Sequence, residues 1–380
     1  MNTLSQLEAE LNERIGIDRS VLYDFTLESL DTDRLLYLAS HKTEKQWVDI
    51  GFDDNSPVVM SDGMRLGRLI IKDWRIGKLS FSFTICNLDG TYGIRTALEM
   101  LVSDDGCNLQ NLDTEGYKAR ISDVFGYLES QYGIVADYST VRIRRLELNA
   151  TFFLEEAFER YRYPILMIAR NVSPKRFGKG DQIKYASWHG ADMAAQTDRL
   201  ETVLIKNNSV ELKIYNKGKW MRDKGIPLAA DRDILRLEYT VKDSRLLEKY
   251  FGSNAVSSLS DDKIAQMFKA YFQRDVVTRY YQWSADNIKQ LAELIDKHRK
   301  AQTHWVGSFL RECRQYNEVH GLPLLFDLED VRQALKLLEP GKGRNVTNKY
   351  RRFLRQAMFE KDLLGNTRRI REIINKIMSL

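Results

Sequence analysis

Cysteine, histidine and proline are all scarce in this 380-residue chain, which has three, five and six of them. Cys86, Cys107 and Cys313 lie far apart with no C-x-x-C pair, which excludes a disulfide scaffold and fits a reducing, cytoplasmic setting. The five histidines show no zinc spacing. No run of 18 apolar residues occurs, so no transmembrane helix is expected. The first ten residues carry acids and no apolar signal core, so nothing marks the chain for export or for a membrane. No G-x-x-x-x-G-K-[ST] loop, dinucleotide fingerprint or G-x-S-x-G elbow is present. The short turns Gly178-Lys179-Gly180 and Gly341-Lys342-Gly343 lack the spacing that cradles a triphosphate.

What is there is an uneven charge. Residues 341–380 hold eleven Lys/Arg and three Asp/Glu, a net of +8 against +5 for the whole chain, so the first 340 residues carry −3. A basic end on a near-neutral body suits phosphate backbones or acidic surfaces, and equally a solvated helical face. At 43% apolar residues the chain can bury a full core, and its length favours two or three domains.

Strand-like alternation mixed with a few helices runs to about residue 252; beyond it helical periodicity takes over, with a boundary near Phe251-Gly252-Ser253-Asn254. The expected class is α+β: an antiparallel-sheet domain followed by an all-helical C-terminal domain. Its parts are residues 1–110 (an α/β region), 111–255 (the core) and 256–380 (basic helices). Strands are expected at 79–86, 141–150, 200–205, 210–215 and 234–241, with helices at 117–132 and 246–250. Further helices are expected at 261–275, 285–300, 304–318, 327–338, 346–363 and 366–378, with Asp327 and Asn366 as N-caps. The pair 327–338 and 346–363 has the look of a helix-turn-helix with an overlong connector.

Period-two counting on three strands puts chemistry on their non-core faces. In 210–215, Val210, Leu212 and Ile214 form the apolar face, leaving Tyr215 with Lys213 and Glu211. In 235–241, Glu238 joins Arg236 and Thr240 opposite Leu235, Leu237, Tyr239 and Val241. In 145–150, Arg145, Glu147 and Asn149 oppose Leu146, Leu148 and Ala150. In one antiparallel sheet, two carboxylates and a phenol would then share a cleft. Two carboxylates and an amide make an oxygen-rich site for Mg²⁺ or Mn²⁺, and such an ion suits phosphodiester chemistry. A tyrosine becomes a nucleophile when a cation stabilises its phenolate; Lys213 and Lys217 flank Tyr215 at two residues, on its face if the strand continues. The plainer reading pairs these acids with Arg145 and Arg236, and any one of 18 tyrosines can be structural.

At these residues the chain resembles the rolling-circle replication initiators of the filamentous-phage gene II type and the related plasmid Rep proteins. Arg145-Leu146-Glu147-Leu148-Asn149-Ala150-Thr151 is similar to the family's Arg-hydrophobic-acid motif, and Leu212-Lys213-Ile214-Tyr215-Asn216-Lys217 to its tyrosine strand. Leu235-Arg236-Leu237-Glu238-Tyr239, followed by Arg245 to Gly252, resembles its Arg-Phe-Glu strand and next helix. The resemblance covers roughly residues 115–255. It departs in having Glu147 where Asp is more usual, and in lacking the two histidines around one hydrophobic residue found in better-known HUH relatives.

The resemblance implies a site-specific DNA endonuclease and strand transferase. Tyr215 would attack an origin phosphodiester and stay joined to the 5′ phosphate, and Lys217 would stabilise the phenolate or departing oxygen. Glu147 and Glu238 would hold the divalent ion, with Asn149 completing the set and His189 as an extra candidate. Implied partners are supercoiled double-stranded origin DNA and single-stranded DNA. Lacking its own ATPase loop, the protein would work with a host helicase and a single-strand-binding protein. The basic turn with Lys175, Arg176, Phe177 and Lys179 suits single-stranded DNA or is a solvated turn. The C-terminal cations Lys349, Arg351, Arg352, Arg355, Arg368, Arg369 and Arg371 are expected on DNA. A conjugative or integrative relaxase with the same chemistry, and a DNA-binding replication regulator without catalysis, are the alternatives.

Overall fold

The computed structural model describes the chain apart from residues 1–10, 12, 57, 86–91, 102–108, 110, 172–182, 187–199, 207, 227–231, 302–303, 321–325 and 358–364. The class is α+β, with a large antiparallel sheet and a helical C-terminal region. The strands are β1 (Ile15–Tyr23), β2 (Thr26–Leu30), β3 (Gln46–Phe52), β4 (Leu66–Asp73), β5 (Gly77–Ile85) and β6 (Tyr92–Leu101). They continue as β7 (Ile134–Asp137), β8 (Arg142–Phe153), β9 (Ile183–Ala186), β10 (Thr202–Lys206), β11 (Val210–Asn216) and β12 (Ile234–Val241). Ten of them hydrogen-bond in the order β3-β4-β5-β6-β1-β8-β12-β11-β10-β9, while β2 and β7 form a separate pair.

The chain falls into two compact units. The first holds residues 1–151, 208–212 and 237–268; the second holds 152–207, 213–236 and 269–380. These boundaries differ from a division at 110 and 255: the N-terminal strands belong to the same unit as most of β8 and the end of β12.

In the first unit, the helix α2 (Thr114–Tyr132), which follows the short α1 (Thr32–Ser40), covers one sheet face. It begins where the Asp113 carboxylate accepts the Gly116 N–H at 2.7 Å, an N-cap. Tyr117, Ile121, Val124, Phe125, Leu128 and Tyr132 recur at helical spacing and are buried. Each contributes on the order of 1.5–3 kcal/mol of burial. Phe25 joins them to the sheet, meeting Phe81 and Phe125 edge-on at centroid distances of 5.9 and 5.1 Å. The helix ends at Gly133 with φ 64°, where an added Cβ would lie 2.3 Å from Asp31 Cβ, so glycine is required twice over.

The second unit contains α3 (Arg162–Asn171) and α4 (Lys217–Asp223). Further along the chain, α5 (Ser244–Phe251) and α6 (Asp261–Phe272) are followed by a π-helical turn, Gln273–Val277, that leads into α7 (Thr278–Ala301). There follow α8 (Trp305–His320), α9 (Leu328–Leu338), α10 (Gly343–Ala357) and α11 (Asn366–Ser379). Trp305, Phe309, Phe326, Val331, Leu335 and Phe353 form the core of these helices. Asp327 caps α9 in a full capping box, whereas the cap of α11 is Gly365, one residue before the expected Asn366. No helix among the described residues is long and apolar enough to cross a membrane.

Candidate metal centre

Three carboxylates meet in the first unit: Asp18 from β1, Glu147 from β8 and Glu238 from β12, each offering an oxygen within 4.8 Å of the others. Strand periodicity explains two of them. Leu146, Leu148 and Ala150 point into the core, so Glu147 points away from it; the same alternation on β12 turns Glu238 away from Leu237 and Tyr239.

Asp18 arrives by a different device. The β1–β8 register pairs Ile17 with Leu148 and then Arg19 with Glu147, so Asp18 is an extra residue in β1. This bulge lets Asp18 and Arg19 both face Glu147 across the strand pair, where an unbroken strand would alternate them. Gly16, beside the bulge, leaves room for Asn111: a Cβ there would lie 2.6 Å from that of Asn111.

The cluster is nearly closed. Asp18 and Glu238 are 6% and 5% exposed, and Glu147 keeps 15% of its side chain open to solvent. Thr240 Oγ1 donates to Glu147 Oε2 at 3.1 Å, and the Arg145 guanidinium lies 3.9 Å from the same oxygen. Burial above all, then the charges of Glu238 and Asp18, pushes the Glu147 carboxyl up to about 8, against a pull downward from Arg19. A hydrogen bond between Glu147 and Asp18 adds to the rise, and it needs a proton on one of the two carboxyls.

The donor set fits a hard divalent cation. All three ligand atoms are carboxylate oxygens, and oxygens at about 2.1 Å from one Mg²⁺ sit about 3–4 Å apart, a spacing that small side-chain rotations reach from here. A cation would replace the shared proton and offset the burial and the repulsion that push the Glu147 carboxyl up.

Asn149, expected to complete the ligand set, lies on β8 two residues from Glu147. It is fully buried, and its carbonyl oxygen, the atom an ion would use, accepts the Thr151 hydroxyl at 3.0 Å; its amide nitrogen has no hydrogen-bond partner. Asp18 brings a third carboxylate to the cluster. Its signal was a single acid inside the alternating stretch Ile15-Gly16-Ile17-Asp18-Arg19-Ser20-Val21-Leu22.

Tyr215 lies in the second unit, on β11, and is 4% exposed, with Lys213 Nζ 4.1 Å from its ring centroid. A phenol lining a cleft was expected; this one is shielded. Lys217 departs further. The strand stops at Asn216, whose side chain caps α4 by accepting the Lys219 N–H at 2.9 Å. Lys217 is therefore helical, off the Tyr215 strand face, and buried with its Nζ 3.8 Å from the Trp220 ring centroid.

The C-terminal cations divide in two. Arg368 pairs with Glu155 and Glu156, and Arg369, 6% exposed at its side chain, pairs with Glu156 at 2.7 Å. Arg371 reaches Asp330 at 3.3 Å and Tyr280 Oη at 3.1 Å. Lys349 bonds Glu339, and Arg352 bonds His304. These pairs tie the C-terminal helices to one another and to the bend that follows β8. Arg351 and Arg355 are exposed. Lys175, Arg176, Lys179 and His189 lie outside the described residues. No family model and no curated protein matches the chain.

Proposed function

We propose that this chain is a metal-dependent DNA-nicking and strand-transfer protein of the rolling-circle initiator kind. The meeting of Glu147 and Glu238 supports this reading above all else: two short motifs far apart in sequence deliver their acids to one nearly closed cluster with Asp18. A divalent ion held there would neutralise phosphate charge and polarise the phosphorus. The chain's own nucleophile is Tyr215. Its phenol loses a proton and its oxygen bonds to phosphorus, while the phosphorus bond to the 3′ oxygen breaks. That oxygen takes up a proton to become a free 3′ hydroxyl, and the 5′ phosphate stays on the tyrosine, ready for the reverse transfer. Because Tyr215 is shielded, this reading requires the end of β11 to open when DNA binds.

Duplex recognition falls to α10. It contains no acid, and Arg344, Asn345, Asn348, Arg351 and Arg355 are exposed along it. Arginine and asparagine are the side chains that read guanine and adenine edges. Residues 339–342 join it to α9, a connector of helix-turn-helix length.

The test is purified protein with Mg²⁺ or Mn²⁺ and a supercoiled plasmid carrying the gene's flanking region. Open circles bearing protein on the 5′ end are expected, and chelator, Asp18→Ala, Glu147→Ala or Glu238→Ala should each abolish them. Nicking that survives in the glutamate variants removes the metal assignment. The burial of Tyr215 favours one second reading, a DNA-binding replication regulator without catalysis. In that case Tyr215→Phe changes nothing, whereas a nickase loses the covalent adduct and keeps DNA binding. A relaxase would share every one of these results.

A further inference from the structure

The sheet of the first unit has a second face, opposite α2, and the strand registers fix which side chains share it. Trp47 pairs with Lys72, Lys72 with Lys78, and Lys78 with Glu99. Glu99 in turn pairs with Val21, and Val21 with Arg145, two residues from Glu147. The core side of the same strands carries Val48, Ile71, Leu79, Leu98 and Leu22, all buried. The row from Trp47 to Arg145 therefore lies on the acid cluster's own face, and the five strand spacings between β3 and β8 cover about 24 Å.

The charges on this row are unbalanced. Lys72 and Lys78 stand directly opposite each other, an arrangement that costs stability in a sheet. The nearby acids are already engaged: Asp49 by Arg68 at 3.0 Å and Lys42 at 3.9 Å, and Glu99 by Arg19 at 3.4 Å. Asp73 is buried and accepts the hydroxyls of Tyr127 and Tyr132 at 3.0 and 2.7 Å. Next to Lys72 and Lys78, at the tip of the β4–β5 hairpin, Trp74 is 50% exposed. The Arg75 guanidinium lies 5.2 Å and Lys45 Nζ 5.8 Å from its ring centroid. Lys45, Lys72, Arg75 and Lys78 make no ion pair among the described residues.

We propose that this face, from the Trp74 hairpin along Lys72 and Lys78 toward the acid cluster, is a docking track for single-stranded DNA. Cations without acids are complementary to a chain of phosphates, and the repulsion between Lys72 and Lys78 is relieved when a phosphate lies between them. Half-exposed tryptophan beside them offers a stacking platform that accepts any base. A duplex presents its bases stacked inside and would leave Trp74 unused. The choice of DNA as the strand rests on the function proposed above; the charge and ring arrangement does not.

The experiment is fluorescence anisotropy of a labelled oligothymidine of about 20 nucleotides, titrated with full-length protein between 50 and 200 mM salt. Lys72→Gln with Lys78→Gln should reduce the slope of log affinity against log salt by about 1.4, at roughly 0.7 per single-strand phosphate contact. Trp74→Ala should weaken binding about tenfold, and oligothymidine should quench tryptophan fluorescence less in that variant. Lys42→Gln, whose ammonium already faces Asp49, should leave the slope unchanged. A double lysine variant with the wild-type slope and affinity overturns the proposal. Nicking of supercoiled plasmid is scored in parallel. Protein that nicks, with the lysine variants silent on oligothymidine, refutes the track and spares the nickase. Protein that never nicks, yet loses slope with these lysines, refutes the nickase and spares the track.

Discussion

Glu147 gives the sharpest handle on the carboxylate cluster, because its proton and a metal ion compete for the same place. Its carboxyl is pushed up to about 8 by burial and by Glu238 and Asp18, from an ordinary value of 4.5. Between those two pH values the folded protein holds a proton that the unfolded chain has released. The metal-free protein therefore loses stability on this account as pH rises from about 4.5 to about 8. Metal binding runs the other way, since the ion needs the carboxylate. With Glu147 as the titrating group, its ionised fraction falls from about one half at pH 8 to about one hundredth at pH 6. Affinity for Mn²⁺ should then fall about fiftyfold, about 2 kcal/mol. Isothermal titration in two buffers of different ionisation enthalpy should count close to one proton released per ion at pH 7. Glu147→Gln should separate the two effects: at pH 8 its metal-free form melts above the wild type, while Mn²⁺ no longer raises its Tm. Mn²⁺ binding with no proton release and a flat pH profile would refute the assignment.

Changing Arg344, Arg351 and Arg355 together to Ala should lower the salt slope on duplex DNA by about 2.7, at roughly 0.9 per phosphate contact. By contrast, Arg369→Ala should leave that slope alone and cost about 1.5–3 kcal/mol in chemical denaturation, the worth of its buried charged hydrogen bond to Glu156, which then keeps only Arg368. Gly133→Ala should lower Tm by about 5 °C, combining positive φ with the Asp31 contact. Gly126→Ala, in the exposed middle of α2 with nothing within 4 Å of an added Cβ, should stabilise by about 0.5–1 kcal/mol.

Much of this was legible wherever one periodicity ran unbroken. The strand Ile234–Val241 and the strand starting at Val210 sit where alternation puts them, and α2, α9 and α11 follow their apolar spacing closely. Glu147 and Glu238 share a face for the same reason. Legibility failed where the period changed. Asp18 was hidden by a bulge, which shifts the parity of everything after it. Lys217 shares the Tyr215 face only if the strand continues, and Asn216, a good helix cap, ends the strand before it. Arg368 and Arg369 looked like free cations because Glu155 and Glu156, their partners, lie more than 200 residues earlier in the chain.

The N-terminal strands are the part whose role composition could not show, and the topology gives them one. β1 lies between β6 and β8 in the sheet and carries Asp18. A fragment starting at residue 111 would lose the third carboxylate. It would also bare one long edge of β8, where eight residues from Arg142 to Ala150 now pair with β1. An unpaired edge of that length invites association with other chains. It would strip cover from Ile143, Leu146 and Leu148, each at most 1% exposed in the whole protein. Three such side chains are worth on the order of 5–9 kcal/mol of burial, comparable with the whole net stability of a domain. The fragment 111–380 should therefore aggregate or melt without cooperativity in calorimetry, and fail to bind Mn²⁺. A soluble fragment with a sharp transition and wild-type metal affinity would show that β1 is an ornament to the site rather than one of its walls.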